Sequence, residues 1–424
     1  MHRKGFNKWR RANVARDTTS LRHKILAVTP LTFGEARNEV LARVRTHAAR
    51  PAIEETPLDQ AAGRVLAGDV AADRDCPPLD RSVRDGYAVR AVDVPGRLRL
   101  AGEVRAGERS LRAVGPGEAV AIMTGAPVPE GADAVIMIEH TTRDDRWVTT
   151  EKTAEPRQFI NPRGCEAAAR QIVLRAGKRL DYSDIAMLAA FGRQTVPVFR
   201  RPSAAVIPTG DELVDIGETP RDFQIRNSNA YSLAAQVERA GGVARRIAVA
   251  RDTLEDTRRA IGDGIADDLL LLSGGVSAGK YDVVEQVLAG LGAEFYFDRV
   301  LIQPGQPLVF GRVAGRFFFG LPGNPSSTMV TFELFARAAL ELLAGQMETA
   351  LAMPWARLTR DFHHRTGLTR FLPAWLSGDG AEVTPVEWHG SSDVPAVTRA
   401  NAYLVAEQER AAYAAGDWIR VLMK

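Results

Sequence analysis

Strand-sized and helix-sized apolar patterns alternate between residues 202 and 345, and this alternation constrains the fold more than any other feature of the 424-residue chain. Strands are predicted at 204–208, 243–250, 268–272, 295–301 and 317–321, with helices at 228–240, 253–261, 282–288 and 326–343. Strands and helices that alternate through short links are typical of a parallel sheet with helices on both faces. The segment is therefore predicted to be a doubly wound, mostly parallel α/β domain.

The sequence on either side of this segment has a different pattern. Residues 31–47 carry apolar side chains at helical spacing and predict an amphipathic helix. Between residues 69 and 197, short Val and Ile runs bounded by Gly and Pro predict mostly β structure. Alternating β character returns after Gly345 and predicts a small antiparallel barrel or sandwich.

Composition excludes several classes of protein. No apolar run is long enough to span a membrane. The first 28 residues are basic, with Asp17 as their one acid, and lack the apolar core of a secretory leader, so we expect a frayed tail or an early start codon, with a transit peptide as the alternative. Two cysteines, Cys76 and Cys165, without zinc-ligand spacing indicate a reducing compartment, and we expect a cytoplasmic protein. A net charge of +3 does not favour nucleic acid.

Three Gly-rich loops follow predicted strands of the α/β segment, at 208–212, 273–282 and 321–327. Ligands of open α/β sheets bind beyond the carboxyl ends of strands, where Gly permits close approach of backbone N–H groups to a phosphate. Asp211, Glu212 and Asp282 could hold a divalent cation there. The alternative is that these residues only make turns and cap helices. A P-loop NTPase is excluded because Tyr281 follows Gly279-Lys280 where Ser or Thr is needed.

Six motifs stand in order along the chain. They are 82–89 (SVRDGYAV), 123–129 (MTGAPVP), 132–136 (ADAVI), 209–213 (TGDEL), 273–282 (SGGVSAGKYD) and 320–325 (GLPGNP). In these motifs the chain resembles the molybdopterin molybdotransferases, the family that includes the C-terminal domain of gephyrin. The resemblance implies insertion of molybdate or tungstate into adenylated molybdopterin with release of AMP, with Mg²⁺ as cofactor.

The resemblance also implies an architecture and partners. We expect a basic, disordered tail (1–28), an elongated linker and dimerisation domain (29–72 with 168–201), a β-rich domain (73–167), a molybdopterin-binding α/β domain (202–348) and a C-terminal β-barrel (349–424). A homodimer is expected, with a cleft between the α/β domain of one subunit and the second domain of the other. A molybdopterin adenylyltransferase and apo-molybdoenzymes are the expected protein partners, without nucleic acid or membrane.

Site residues are carried over where this sequence matches the family's motifs. The predicted catalytic acids are Asp85, Glu166 and Asp282, and the predicted metal ligands are Asp282 and Glu212. The predicted cofactor-binding residues are Thr209, Gly210, Asp211, Glu212, Asn227, Ser273, Gly274, Gly275, Ser277, Pro322, Gly323, Asn324 and Pro325. The predicted oxoanion residues are Gln303, Gln306, Pro307, Arg370 and Ser391.

The sequence departs from the family at the oxoanion residues. Most relatives have two lysines in a Lys-Pro-Gly-Lys-Pro segment, and Gln303 and Gln306 replace them here. Each replacement keeps hydrogen-bond donors but loses a positive charge, at about 1–3 kcal/mol per contact. At two positions where many relatives have arginine, this chain has Leu368 and Pro373. Asn227 stands where the family has Asp, and Glu166 is shifted from the position of a second family acid. Two hypotheses follow: an active transferase with a neutral-donor site, or a weakened paralogue that acts as a pterin-binding carrier or scaffold.

Overall fold

The computed structural model describes residues 29–108, 110, 112–275 and 283–424. The predicted disordered tail, 1–28, lies outside these ranges. The chain forms two compact units. The main unit consists of the chain up to Glu54 together with Phe199–Lys424, and the inserted unit is Glu55–Val198. Within the described ranges, no helix is both long and apolar enough to cross a bilayer.

The chain enters the main unit through helix α1 (Phe33–His47), which the sequence predicted. Thr32 caps it: its hydroxyl oxygen accepts from the Glu35 amide, and the Glu35 carboxylate accepts from the Thr32 amide at 2.9 Å. Ala36, Val40 and Val44 form the buried stripe. Strand β1 (Ile53–Pro57) follows the helix.

The inserted unit is mostly β, as predicted. Its strands are β2 (Val70–Ala71), β3 (Arg81–Ser82), β4 (Gly86–Val89), β5 (Gly96–Val104), β6 (Glu118–Ile122), β7 (Ala134–Met137), β8 (Thr141–Arg143), β9 (Trp147–Thr150), β10 (Ile160–Asn161), β11 (Ile172–Leu174) and β12 (Thr195–Phe199), and its helix is α2 (Tyr182–Ala190). Six strands form one sheet in the order β7-β4-β6-β5-β9-β8. Among the described pairings of this sheet, only that of β5 with β6 is parallel.

The α/β part of the main unit is built on a second six-stranded sheet. Its elements are β13 (Ser203–Pro208), β14 (Leu213–Val214), β15 (Ile225–Arg226), α3 (Asn229–Arg239), β16 (Val243–Arg246), α4 (Leu254–Gly264), β17 (Leu269–Ser273), α5 (Val283–Gly290), β18 (Glu294–Arg299), β19 (Ile302–Gln303), β20 (Pro307–Val313), β21 (Arg316–Leu321), α6 (Pro325–Thr331) and α7 (Arg337–Leu343), with a π-helical turn (Phe332–Ala336) joining the last two helices. The strand order is β16-β13-β17-β21-β20-β18.

Helices cover both faces of this sheet, which confirms the doubly wound prediction. Val206 and Leu271 pack in one core cluster with Leu233 of α3, whereas Ile207 packs in another with Ile261 of α4. The first four strands pair in parallel. The sequence missed β20, which pairs antiparallel to both β21 and β18 and extends the sheet.

A closed five-stranded barrel ends the chain, as predicted. Its elements are β22 (Trp355–Leu358), β23 (Phe362–His363), β24 (Thr369–Leu376), β25 (Glu382–Pro385), α8 (Val394–Arg399), β26 (Ala402–Ala406), β27 (Ala412–Tyr413) and β28 (Trp418–Met423). The barrel order is β24-β25-β22-β28-β26, and β26 pairs back onto β24. Strand β19 adds to β24 in parallel, which places Gln303 opposite Arg370.

Phe310 occupies the centre of an aromatic cluster in the main unit. Its ring lies 4.7 Å from that of Phe319 and 5.3 Å from that of Tyr296, centroid to centroid. Phe310→Ala is expected to lower the free energy of unfolding of the main unit by about 3–5 kcal/mol, because the cavity cannot fully collapse. Urea unfolding measures this change. Phe223→Ala, at a side chain that is 71% exposed, is the control and should change stability by no more than about 0.5 kcal/mol. Equal effects of the two substitutions would contradict this packing.

Candidate functional site

Three parallel strands of the α/β sheet end side by side, and the predicted binding loops begin there. Pro208 of β13 pairs with Ser273 of β17, which pairs with Leu321 of β21. The Thr209 amide donates to the Ser273 carbonyl at 3.0 Å, and the Gly274 amide donates to the Leu321 carbonyl at 3.2 Å. The loops therefore share one edge of the sheet, as was predicted from their positions after the strands. They surround a cavity of about 560 Å³, here called the strand-end cavity.

Thr209 and two glycines form the floor of the strand-end cavity. Gly274 and Gly275 have φ angles of +100° and +64°, a region that disfavours side chains. A Cβ on Gly274 would lie 2.4 Å from the Thr209 carbonyl oxygen, and one on Gly275 would lie 2.9 Å from Thr209 Oγ1. Among the described residues, the buried Thr209 hydroxyl has no hydrogen-bond partner. This floor thus combines a close backbone approach with a buried donor, which suits a phosphate-bearing ligand.

Asn229, at the start of α3, ties two of the loops together. Its Nδ2 donates to Ser273 Oγ at 2.9 Å and to the Gly323 carbonyl at 2.7 Å. Its side-chain oxygen is buried without a partner in the described structure. Asn227 is buried and caps the same helix by accepting from the Ala230 amide at 3.2 Å. Sequence reasoning assigned Asn227 to the site but missed Asn229, although both stand in one Asn-Ser-Asn triplet.

Acidic side chains line one side of the strand-end cavity. Glu212 and Asp252 both face it. Asp211 does not line it, and instead accepts from the Asp252 amide at 3.3 Å. Burial raises the pKa of Asp252, and the charges of Asp211 and Glu212 raise it further. Asp252 is a site residue that the sequence analysis missed. It follows β16, the fourth parallel strand, and ligands of such sheets bind beyond the carboxyl ends of the strands.

A second cavity, of about 1050 Å³, lies between the α/β sheet and the barrel and is here called the barrel-side cavity. All five predicted oxoanion residues line it: Gln303, Gln306, Pro307, Arg370 and Ser391. The pairing of β19 with β24 holds Gln303 beside Arg370. Arg365, Trp388 and His389 also line this cavity, and sequence reasoning had assigned none of them. A residue lining a cavity cannot be recognised from spacing when the loop that carries it has no regular pattern.

The two cavities adjoin. Pro307, Pro322 and Asn324 line both of them. Asn324 Nδ2 donates to Ser391 Oγ at 2.8 Å, and the Ser326 amide donates to the Ser391 carbonyl at 2.9 Å. A ligand in the strand-end cavity can therefore reach the polar groups of the barrel-side cavity past Asn324.

Two predicted catalytic acids belong to the inserted unit. Asp85 precedes β4, and its carboxylate accepts from the Thr124 amide at 2.6 Å and from the Thr124 hydroxyl at 2.9 Å. These hydrogen bonds, the amide first, lower the pKa of Asp85. Glu166 accepts from the Cys76 thiol at 3.1 Å, and this contact is the main cause of the raised pKa of Cys76. Asp85 is thus held as a charged acceptor rather than a proton donor.

The strand-end cavity brings together most of the predicted cofactor-binding residues. Those that line it are Thr209, Gly210, Glu212, Asn227, Ser273, Gly274, Gly275, Pro322, Gly323, Asn324 and Pro325. Ser277 and Asp282 lie outside the described residues. Across the ranges that the structure covers, no group of three or more His, Cys, Asp or Glu side chains is arranged to hold a metal ion. The proposed metal ligands therefore stay a prediction.

Family profiles cover nearly all of the described chain. The MoeA N-terminal region (domain I and II) matches residues 31–192, and a probable molybdopterin binding domain matches 205–342. The MoeA C-terminal region (domain IV) matches 355–424. These three matches follow one another in the order of the motifs found in the sequence.

Curated relatives and solved structures agree with the profiles. A molybdopterin molybdenumtransferase of Staphylococcus aureus (strain MSSA476) is 33% identical over 93% of this chain and 96% of its own length. The Bacillus subtilis (strain 168) protein of that name is 32% identical over 93% and 94%. A molybdopterin biosynthesis MoeA protein of Pyrococcus horikoshii superposes with a TM-score of 0.78 at 27% identity, over 93% of this chain and all of the other. The chain belongs to the molybdopterin molybdenumtransferase family.

Proposed function

We propose that this protein inserts molybdate, or tungstate, into adenylated molybdopterin and releases AMP. The observation that carries the proposal is the pair of adjoining cavities. One has a glycine-lined floor at the carboxyl ends of parallel strands, and the other has cationic and amide donors. The first suits a pterin phosphate and the second suits an oxoanion. Asn324 and Pro322, which line both, would lie between the two substrates.

The acids of the strand-end cavity support the proposal of Mg²⁺ as cofactor. Glu212, one of the two predicted metal ligands, and Asp252 both line the cavity and supply hard oxygen ligands. Burial raises the pKa of Asp252, and the charges of Asp211 and Glu212 raise it further, so a bound divalent cation would stabilise the ionised carboxylates. When bound, Mg²⁺ would neutralise charge on the phosphates that join AMP to the pterin. Thr209 and the backbone of Gly274 would orient those phosphates.

Asp85 is proposed to assist the hydrolysis that releases AMP. Its two contacts to Thr124 keep the carboxylate ionised at neutral pH, so it can accept a proton from water or orient that water. Such a role needs the charged form, and the lowered pKa preserves that form as pH falls below the ordinary range of an aspartate. Glu166, bound by the Cys76 thiol, is proposed as a second acid of the same reaction.

The assembly and the cellular setting belong to the same proposal. We expect a cytoplasmic homodimer that receives its substrate from a molybdopterin adenylyltransferase and passes its product to apo-molybdoenzymes. Support comes from the family. Sedimentation of the purified chain would test the dimer directly.

The direct test supplies the full-length protein with adenylated molybdopterin, Mg²⁺ and molybdate. The expected result is AMP release together with a product that activates an apo-molybdoenzyme. Omitting molybdate should abolish the active product. If the protein binds adenylated molybdopterin but forms no active cofactor at any molybdate concentration, the carrier or scaffold hypothesis replaces the transferase.

Asp85→Asn is expected to slow AMP release by about 10²–10⁴-fold, because an amide cannot accept the proton. Binding of adenylated molybdopterin should be unchanged, since Asn can still accept from Thr124. Asp145→Asn, at an exposed acid of the inserted unit, is the matched control and should turn over normally. In the wild type, any loss of rate from protonation of Asp85 should come only below pH values at which an ordinary Asp titrates, because its pKa is lowered. Normal turnover by Asp85→Asn would leave Asp85 as a turn residue.

Restoring lysine at two positions tests the cost of the neutral amides. Gln303→Lys with Gln306→Lys is expected to tighten molybdate binding roughly tenfold or more, because each recovers a charge-assisted contact of about 1–3 kcal/mol. The molybdate dependence of cofactor formation measures the gain. Gln346→Lys, outside both cavities, adds the same charge as a control. No gain with pterin binding intact would favour the scaffold hypothesis.

A further inference from the structure

The side chain of Asn229 is held in one orientation at the wall of the strand-end cavity. Its Nδ2 donates to the Gly323 carbonyl at 2.7 Å and to Ser273 Oγ at 2.9 Å. A carbonyl oxygen can only accept a hydrogen bond, so turning the amide over would set two acceptors against each other. The contact with Gly323 therefore assigns the nitrogen, and with it the oxygen, of this amide.

The side-chain oxygen of Asn229 is an acceptor that lacks a donor. It is shielded from water, and within the described ranges no protein group donates to it. A buried acceptor without a donor is costly, so its place at a cavity wall indicates a donor on the ligand. Phosphate oxygens cannot fill this role, because the diphosphate that joins AMP to the pterin carries no proton at neutral pH. The donor must be an N–H or O–H elsewhere in the ligand.

Ser273 places a donor next to this acceptor. Its side chain is buried at the end of β17 and lines the same cavity. Because Ser273 Oγ accepts the Asn229 N–H, the hydroxyl proton is left to donate to a further group. One wall of the cavity thus presents an acceptor and a donor, and the hydrogen bond between the two side chains keeps them together.

A neighbouring acceptor and donor match the edge of a nitrogen heterocycle. The pyrimidinone edge of a pterin has a ring N–H beside a carbonyl, and adenine has an exocyclic amino group beside a ring nitrogen. Each edge offers one donor and one acceptor, the complement of Asn229 Oδ1 and the Ser273 hydroxyl. Buried polar groups that hydrogen-bond a substrate N–H discriminate strongly against an analogue without it, because they are then left unpaired. This wall is therefore suited to selecting a ring rather than a charge.

We propose that Asn229 and Ser273 bind the hydrogen-bonding edge of a heterocyclic ring of the adenylated substrate, either its pterin or its adenine. This inference rests on the proposed function and adds residues that recognise a ring to those that contact the phosphates. A backbone cradle accepts the phosphate of many compounds. The edge contact would restrict the cavity to compounds that also carry the matching ring.

The test uses the full-length protein and pairs of probes that differ by one donor, with binding measured by calorimetry. AMP is compared with purine ribonucleoside monophosphate, which lacks the amino group, and 6-hydroxymethylpterin is compared with its N3-methyl derivative. The wild type is expected to bind one parent about tenfold or more tightly than its analogue. In Asn229→Ala the parent and its analogue should bind equally, because the acceptor is gone. Ser273→Ala should weaken binding of the parent severalfold.

The comparison within each variant controls for indirect damage. If Asn229→Ala loosens the loops that Asn229 joins, both members of a probe pair lose affinity alike, and only their ratio reports the edge contact. Asn161→Ala is the matched control, because it removes an exposed asparagine of the inserted unit and should keep the wild-type ratio. Circular dichroism of each variant shows whether it is folded.

The outcomes separate this inference from the proposed function. A preference for AMP assigns the wall to adenine, and a preference for 6-hydroxymethylpterin assigns it to the pterin. A wild type that binds no probe at millimolar concentration, or that distinguishes neither parent from its analogue, overturns the inference, as does a folded Asn229→Ala protein that still distinguishes them. Discrimination that depends on Asn229, without formation of active cofactor, supports the inference and contradicts the proposed function. Active cofactor without discrimination contradicts the inference and leaves the transferase intact.

Discussion

The carboxyl ends of three parallel strands meet in register, and the rest of the site depends on this alignment. Pro208, Ser273 and Leu321 stand opposite one another, so the loops that follow them start at one edge. The contact between those loops is backbone against backbone, which only glycine at position 274 permits. Asn229 then joins two of these loops, because its side chain donates to both Ser273 and Gly323. Apolar packing on both sheet faces holds the strands in place, so the position of the site is fixed by the core.

Charge is divided between the two cavities. Glu212 and Asp252 line the strand-end cavity with negative charge, and Arg365 and Arg370 line the barrel-side cavity with positive charge. A phosphorylated pterin with a divalent cation suits the first environment, and a metal oxoanion suits the second. Asn324 and Ser391 lie where the two meet. This division offers a physical account of how two anionic substrates are kept apart until they react.

The sequence predicted the architecture well because hydrophobic periodicity and strand ends carry most of that information. It missed β20 (Pro307–Val313), because the Pro- and Gly-rich stretch at its start was interpreted only as a source of the oxoanion residues Gln303, Gln306 and Pro307. It missed Asp252 because only three loops at the carboxyl ends of strands were considered as binding loops, and the loop after Ala250 was not among them. Asn229 and Arg365 could not be found from spacing, since the positions that bring them to the cavities come from the packing of segments far apart in the chain. Motifs located the cavities, and only the three-dimensional packing identified a buried donor without a partner in them, the Thr209 hydroxyl.

Gln303 and Gln306 stand in place of two family lysines, and the protein is nevertheless expected to insert the metal. Metal insertion can be measured by expressing this protein in a strain that lacks its own molybdotransferase and assaying nitrate reductase activity. Nitrate reductase activity is expected to return, and to rise more steeply with molybdate supply than it does with a lysine-containing relative. Accumulation of adenylated molybdopterin without nitrate reductase activity, at every molybdate concentration, would contradict it.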